Sequence, residues 1–249
     1  MNHSLRFLTA IAGISLVATT AQAGASFSFT PTGTAWNGSP NYTSVNNANF
    51  STISGGTGQG DATFGGTATF GVMAETFTPT SAFTLGSINT VLAVNTPATY
   101  QIHLYDLGAA GTVSVSASAA TYTPGTDLFS GLSLSLSATG GEVQGTFSLT
   151  GGDQVSLLAY EEYAFELWTP VAAGTAGVTI FRGSVADPGG QMFSAGDSAG
   201  ARNTLAGNGQ AGGAPRTAGL ALYAVPEPTA FALAAMGAAG LLAFRRRRA

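Results

Sequence analysis

Apolar and polar residues alternate along much of residues 24–224, with the period of two that a β-strand with one buried face requires. The clearest run is Leu132–Leu136, where leucines occupy every second position and serines lie between them. Glycine pairs such as Gly140-Gly141 separate the runs and favour turns. Candidate strands lie near residues 25–29, 67–77, 82–94, 100–105, 112–122, 132–136, 143–150, 163–167, 176–182 and 220–222.

These runs define the fold class that we expect for residues 24–224. About ten short strands, each with one apolar face, predict antiparallel sheets. Two such sheets packed together give an all-β sandwich of the jelly-roll type. A β-solenoid is the alternative, but the sequence shows no fixed repeat period. Residues 34–66 and 183–216 lack the alternation and are predicted to be long loops, with Trp36 and Tyr42 anchoring the first.

The first 23 residues have the three regions of a secretory signal peptide. Arg6 lies in a short basic region, and Phe7–Ala18 is apolar. Ala21 and Ala23 supply the small residues that signal peptidase requires. An apolar run of about 12 residues is too short to cross a bilayer of ~30 Å. We therefore expect signal peptidase to cleave after Ala23 and the body, residues 24–224, to be exported; a buried helix of a cytosolic protein is the alternative.

Residues 225–249 form a second three-part pattern. Its parts are Pro226, Glu227 and Pro228, an apolar stretch over residues 229–244, and Arg245, Arg246, Arg247 and Arg248. The apolar stretch predicts a short transmembrane helix of roughly 24 Å, with the arginines on the cytoplasmic side. The prolines keep the chain around Glu227 extended and outside that helix. A plain C-terminal anchor is the alternative, although it does not require Pro-Glu-Pro.

This tail resembles the PEP-CTERM sorting signal, which has the same three parts in the same order. The resemblance implies that exosortase, a membrane enzyme, recognises Pro226, Glu227 and Pro228 and removes the tail. The chain would then be held only transiently in the inner membrane before it reaches the cell surface or extracellular matrix. The resemblance also implies a bacterium that makes exopolysaccharide and biofilm. Segments such as 101–108 and 163–168 are similar to the jelly-roll, carbohydrate-binding bodies often joined to these tails.

The charge of the body limits its partners. The chain has no lysine and no cysteine, and the body has three arginines against twelve acidic residues when Glu227 is included, a net charge of about −9. A surface this acidic excludes nucleic acid and anionic lipid as partners that bind through charge. Without cysteine there are no disulfides and no thiolate metal sites.

The body has few residues that could act in catalysis. His103 is its one histidine, and no Gly-x-Ser-x-Gly motif accompanies it. A glycosidase needs two carboxyl groups across a sugar, and Glu161, Glu162 and Glu166 are the nearest candidates. We interpret these glutamates as solvated surface residues and expect no catalytic residue. An exported hydrolase acting on polysaccharide is the alternative function.

Metal and cofactor sites are also not expected. Aspartates beside glycines suit Ca²⁺, but turn chemistry explains the same pairing. The candidates for a structural Ca²⁺ site are Asp61, Asp153, Asp187 and Asp197. We predict that the body binds no metal and no cofactor.

One polar face is a candidate for binding sugar. If Ile102 and Leu104 are buried, the alternation turns Gln101, His103 and Tyr105 toward solvent, and Trp168 has the outward parity of Glu166 in a neighbouring strand. The candidate glycan-binding residues are thus Gln101, His103, Tyr105 and Trp168. The sequence predicts a non-catalytic protein of the surface or matrix that associates with exopolysaccharide.

Overall fold

The computed structural model describes residues 24–46, 50, 62–64, 72–111, 121–122, 125–130, 132–168, 177–183, 190, 192–195, 205–207 and 217–226. The predictions for the signal peptide, for the tail beyond Pro226 and for most of the 183–216 segment lie outside these residues.

Strands make up most of the described chain. In order they are β1 Gly24–Pro31, β2 Tyr42–Thr43, β3 Ala62–Phe64, β4 Val72–Phe77, β5 Phe83–Val94, β6 Ala98–Ala109, β7 Thr121–Tyr122, β8 Thr126–Asp127, β9 Leu132–Leu136, β10 Val143–Thr150, β11 Val155–Leu157, β12 Glu161–Trp168, β13 Val178–Ile180, β14 Arg182–Gly183, β15 Met192–Ala195, β16 Leu205–Gly207, β17 Thr217–Ala218 and β18 Leu220–Ala224. A 3₁₀ turn, Gly151–Asp153, links β10 to β11.

The first sheet is built around β5. Strands β10 and β11 pair with one edge of β5, and β18 and β13 pair with the other. Outside them, β1 pairs with β10, β3 with β13 and β2 with β18. The β-branched residues of β5 suit this position, and its residues Ile88–Val94 are buried without alternation because both faces are covered.

The second sheet has the order β7-β16-β15-β4-β12-β6, and β9 and β8 share the far edge of β6. A two-stranded sheet pairs β14 with β17. Every strand pair in the described chain is antiparallel, so the predicted all-β, antiparallel class is confirmed. The jelly-roll connection stays a prediction.

The core lies between the two sheets. Phe147 of β10 and Phe165 of β12 place their ring centroids 5.7 Å apart, and Tyr42 and Phe77 join the sheets in the same way at 5.5 Å. Leucines and isoleucines of both sheets, including Ile102 of β6, complete one buried cluster. The sheets therefore pack face to face.

A smaller cluster covers the outer face of the first sheet. Trp36 packs edge-on against Phe50 at 4.9 Å and donates its indole N–H to the carbonyl of Val45 at 2.7 Å. Val91 and Ala221, from β5 and β18, form the floor of this cluster. Trp36 thus anchors the start of the 34–66 segment, as expected, whereas Tyr42 belongs to the main core.

Tyr163 connects the core to the end of the sandwich. Its ring stacks on Phe77, while its hydroxyl oxygen accepts the backbone N–H of Leu158 at 2.8 Å. Burial raises the pKa of Tyr163 above its ordinary value, and the carboxylates of Asp106 and Glu161 raise this pKa further, against the lowering effect of the Leu158 hydrogen bond.

This raised pKa predicts a loss of stability in alkali. Below pH ~10 the phenol of Tyr163 is neutral in both the folded and the unfolded protein. At higher pH it ionises first in the unfolded chain, and this lowers the free energy of unfolding until the pH passes the pKa of the folded state. We expect Tyr163→Phe to make the decline between pH ~9 and ~11 shallower, as measured by urea unfolding relative to pH ~8. An equally steep decline in the variant would contradict this assignment.

Candidate functional sites

The residues predicted to bind glycan lie together on the outer face of the second sheet. The register between β6 and β12 places Trp168 opposite Gln101, Glu166 opposite His103 and Ala164 opposite Tyr105. Because directly opposed residues share a face, the four predicted side chains form one group. The structure therefore brings these residues together as the alternation predicts.

The expectation that this group faces solvent is wrong for its centre. His103 is 5% exposed, Tyr105 is 8% exposed, and Gln101 and Trp168 are half-buried. Glu166 is fully buried and Glu162 nearly so, which also corrects their interpretation as solvated surface residues. Strand β12 is covered on both faces, and alternation alone cannot distinguish a wet polar face from a covered one.

Asp127 holds His103 within this buried face. Its Oδ2 lies 2.8 Å from Nδ1 of His103, and its Oδ1 accepts the backbone N–H of Phe129 at 3.0 Å. The imidazole also stacks on the ring of Tyr105, with centroids 5.5 Å apart and planes 7° from parallel. Asp127 ends the two-residue strand β8, and the sequence around it gave no sign of this partner.

A second buried acid was also missed by the sequence analysis. Glu75 of β4 lies opposite Phe165, so its side chain points to the core face, and its Oε2 accepts the backbone N–H of Ala218 at 2.9 Å. Arg182, itself buried, lies opposite Ala218 in the β14–β17 ladder. The sequence carried one sign of this burial: Glu75 is two residues before the apolar Phe77, so both side chains lie on the same face of β4.

Tyr160 dominates the exposed surface at one end of the sandwich. Its side chain is 67% exposed, and the other large apolar side chains exposed in the described chain are Leu158 and Phe29. Tyr160 has φ +62°, a left-handed conformation that is a genuine outlier for a bulky residue and costs about 1–3 kcal/mol.

Hydrogen bonds on both sides hold Tyr160 in this conformation. Its backbone N–H donates to the carbonyl of Pro79 at 2.8 Å, and its carbonyl accepts the N–H of Ala110 at 3.1 Å. The turns after β4 and β6 therefore fix the segment before β12. Asp106 and Glu161, both half-buried, lie close enough to this end to act on the pKa of Tyr163. The result is an exposed aromatic ring on a fixed backbone.

The end of β18 is a third site. A bulge at Gly86 of β5 shifts the register between Tyr223 and Ala224, so that Ala224 pairs with Leu85. The N–H of Ala224 donates to Oδ1 of Asn41 at 2.7 Å, and the N–H of Val225 donates to the carbonyl of Thr84 at 2.8 Å. An open cavity of about 380 Å³ lies beside this junction, lined in part by Phe83 and by Pro226.

Residues 224–248 match the PEP-CTERM protein-sorting motif. The chain carries a PEP-CTERM motif. The match begins one residue before the predicted boundary and contains Pro226, Glu227, Pro228 and all four C-terminal arginines. The motif implies that the protein is exported and sorted by an exosortase. No curated protein and no solved structure matches the chain.

The PEP-CTERM tail lies almost entirely outside the described residues. In the described chain, which ends at Pro226, no helix is long and apolar enough to cross a membrane. The membrane helix expected over residues 229–244 therefore stays a prediction, as does signal-peptide cleavage after Ala23.

The predicted aspartates can be located only in part. Asp153 lies in the 3₁₀ turn between β10 and β11, whereas Asp61, Asp187 and Asp197 lie outside the described residues. Among the residues described, no three His, Asp or Glu side chains gather closely enough to hold a metal ion.

Burial of both faces of β6 predicts the effect of removing its side chains. We expect Tyr105→Ala to lower the free energy of unfolding by about 2–5 kcal/mol, as Leu104→Ala does, because each leaves a cavity in a packed layer. Tyr160→Ala is the matched control and should cost less than about 1 kcal/mol, since its ring is exposed. Urea unfolding measures all three; a Tyr105→Ala effect as small as the control's would show that this face is open.

Proposed function

We propose that the PEP-CTERM-sorted body is a non-catalytic protein of the cell surface or extracellular matrix that binds exopolysaccharide through Tyr160. The observation that carries the proposal is the exposed Tyr160 ring, held by hydrogen bonds to Pro79 and Ala110 despite an unfavourable backbone conformation. An outlier that the surrounding structure enforces is a recognised sign of a functional residue.

The chemistry of this end suits a polysaccharide. A sugar ring offers an apolar C–H face that packs on an aromatic plane, and hydroxyl groups that donate to carboxylates. Tyr160 supplies the plane, and Asp106 and Glu161, whose carboxylates act on the pKa of Tyr163, are the acceptors at the same end of the sandwich. A tyrosine on a fixed backbone loses little conformational entropy on binding, because its side chain has few rotatable bonds.

Two observations favour a binding protein over a hydrolase. His103 is buried between Asp127 and Tyr105, so a polymer cannot reach its ring without opening the sheet face. Glu162 and Glu166, which the glycosidase alternative requires, are also buried. Asp106 and Glu161 at the Tyr160 end are the pair on which the hydrolase alternative now depends.

Retention on the producing cell's own immobilised exopolysaccharide tests the proposal. We expect Tyr160→Ala to weaken retention of the full chain at least ~10-fold without changing its melting temperature, since the ring buries little surface in the free protein. Phe29→Ala is the matched control, because Phe29 is an exposed aromatic residue, at 40%, on a different strand. Unchanged retention of Tyr160→Ala, beside a normal melting curve, would remove Tyr160 from the binding site.

The same material distinguishes the two function classes. New reducing ends, released by the parent protein and abolished by Glu161→Gln, would show that the body is a hydrolase. Retention without release of reducing ends is the expected result.

A further inference from the structure

The PEP-CTERM motif begins inside the folded body. Of the matched residues, Ala224 is the last residue of β18, Val225 is half-buried beside β5, and Pro226 is the first exposed residue. No spacer separates the sheet from Pro226. The first two residues of the motif, Ala224 and Val225, are therefore packed into the fold of the body.

Asn41 and Gly86 hold these two residues in place. Asn41 donates its backbone N–H to the carbonyl of Leu222 at 2.7 Å and accepts the N–H of Ala224 on its side chain, so it spans the bulge. A Cβ on Gly86 would lie 2.9 Å from the nitrogen and 3.0 Å from the Cα of Val225. Only glycine allows the chain to pack this closely against β5.

Docking of the first motif residues on β5 competes with recognition of the same residues by a processing enzyme. Enzymes and other proteins that bind a peptide as an extended segment do so by hydrogen bonds to its main chain. The N–H groups of Ala224 and Val225 already donate to Asn41 and Thr84. An exosortase that reads residues on the N-terminal side of Pro226 must take them from this sheet.

We propose that the folded body docks the start of the sorting motif and so limits the rate of tail removal. Exosortase then acts on the fraction of molecules in which residues 224–226 have left β5, and its apparent affinity for the motif is reduced by that fraction. Two hydrogen bonds of ordinary strength from main-chain N–H groups correspond to a population change of roughly 5- to 150-fold. Asn41 and Gly86 are thus positioning residues for tail removal. The docking mechanism rests on the sorting function and not on the binding of exopolysaccharide.

Gly86→Ala tests this mechanism because the new methyl group meets backbone atoms of Val225 and displaces the junction. We expect the full chain in the producing cells to lose its tail roughly 10-fold faster, as followed by pulse-chase and intact-mass measurement. Gly33→Ala is the matched control, since the nearest atom to its added Cβ is 4.0 Å away. Its tail should be removed at the parent's rate.

Asn41→Ala keeps the proposal testable if Gly86→Ala does not fold, because it removes one side-chain acceptor at an exposed position and leaves the backbone bond to Leu222. It should also speed tail removal, whereas Asn95→Ala, which alters the same residue type far from the junction, should not. Unchanged or slower removal in folded Gly86→Ala and Asn41→Ala would overturn the docking mechanism. Retention of the tail in the parent protein itself would instead overturn processing by exosortase.

Discussion

The hydrogen bonding of β5 is the constraint on which the rest of the structure depends. This strand is paired along both edges, with β10 and β11 on one side and β13 and β18 on the other. A buried strand with an open edge would leave peptide groups without partners. Because β18 ends at Ala224, the first sheet is complete only when the chain up to the sorting motif has been added. Folding of the body and presentation of the motif are consequently linked through one strand.

Burial on both faces of β6 and β12 limits where a ligand can reach the second sheet. His103, which alternation assigns to a solvent face, is instead buried and hydrogen-bonded to Asp127. Glu75 lies on the core face and accepts the backbone N–H of Ala218. A buried polar group without a partner costs free energy, and both of these side chains have a defined partner. Tyr160, the side chain that we propose to bind exopolysaccharide, lies instead in the turn before β12. Rigid strands and functional turns are a common division of roles in β-sandwiches.

The sequence predicted local features well and long-range ones poorly. Leu132–Leu136 and Val143–Thr150 were predicted as strands with the bounds that the structure has, because alternation and flanking glycines act locally. The PEP-CTERM motif was equally visible, since its signal lies in consecutive residues. Parity also placed Gln101, His103, Tyr105 and Trp168 on one face. Whether that face is covered depends on segments that are distant in sequence. The same is true of the partner of Asp127, the conformation of Tyr160 and the docking of Val225.

Hydrogen exchange at the body–motif junction shows whether the start of the sorting motif is docked on β5. The full chain in detergent would be exchanged and digested, and the peptide containing the amides of Ala224 and Val225 compared with the exposed turn at Gly140–Gly141. Docking predicts that these two amides exchange at least ~5-fold more slowly than that turn, because each donates to an acceptor on Asn41 or β5. Exchange of Ala224 and Val225 as fast as that of the exposed turn would contradict it.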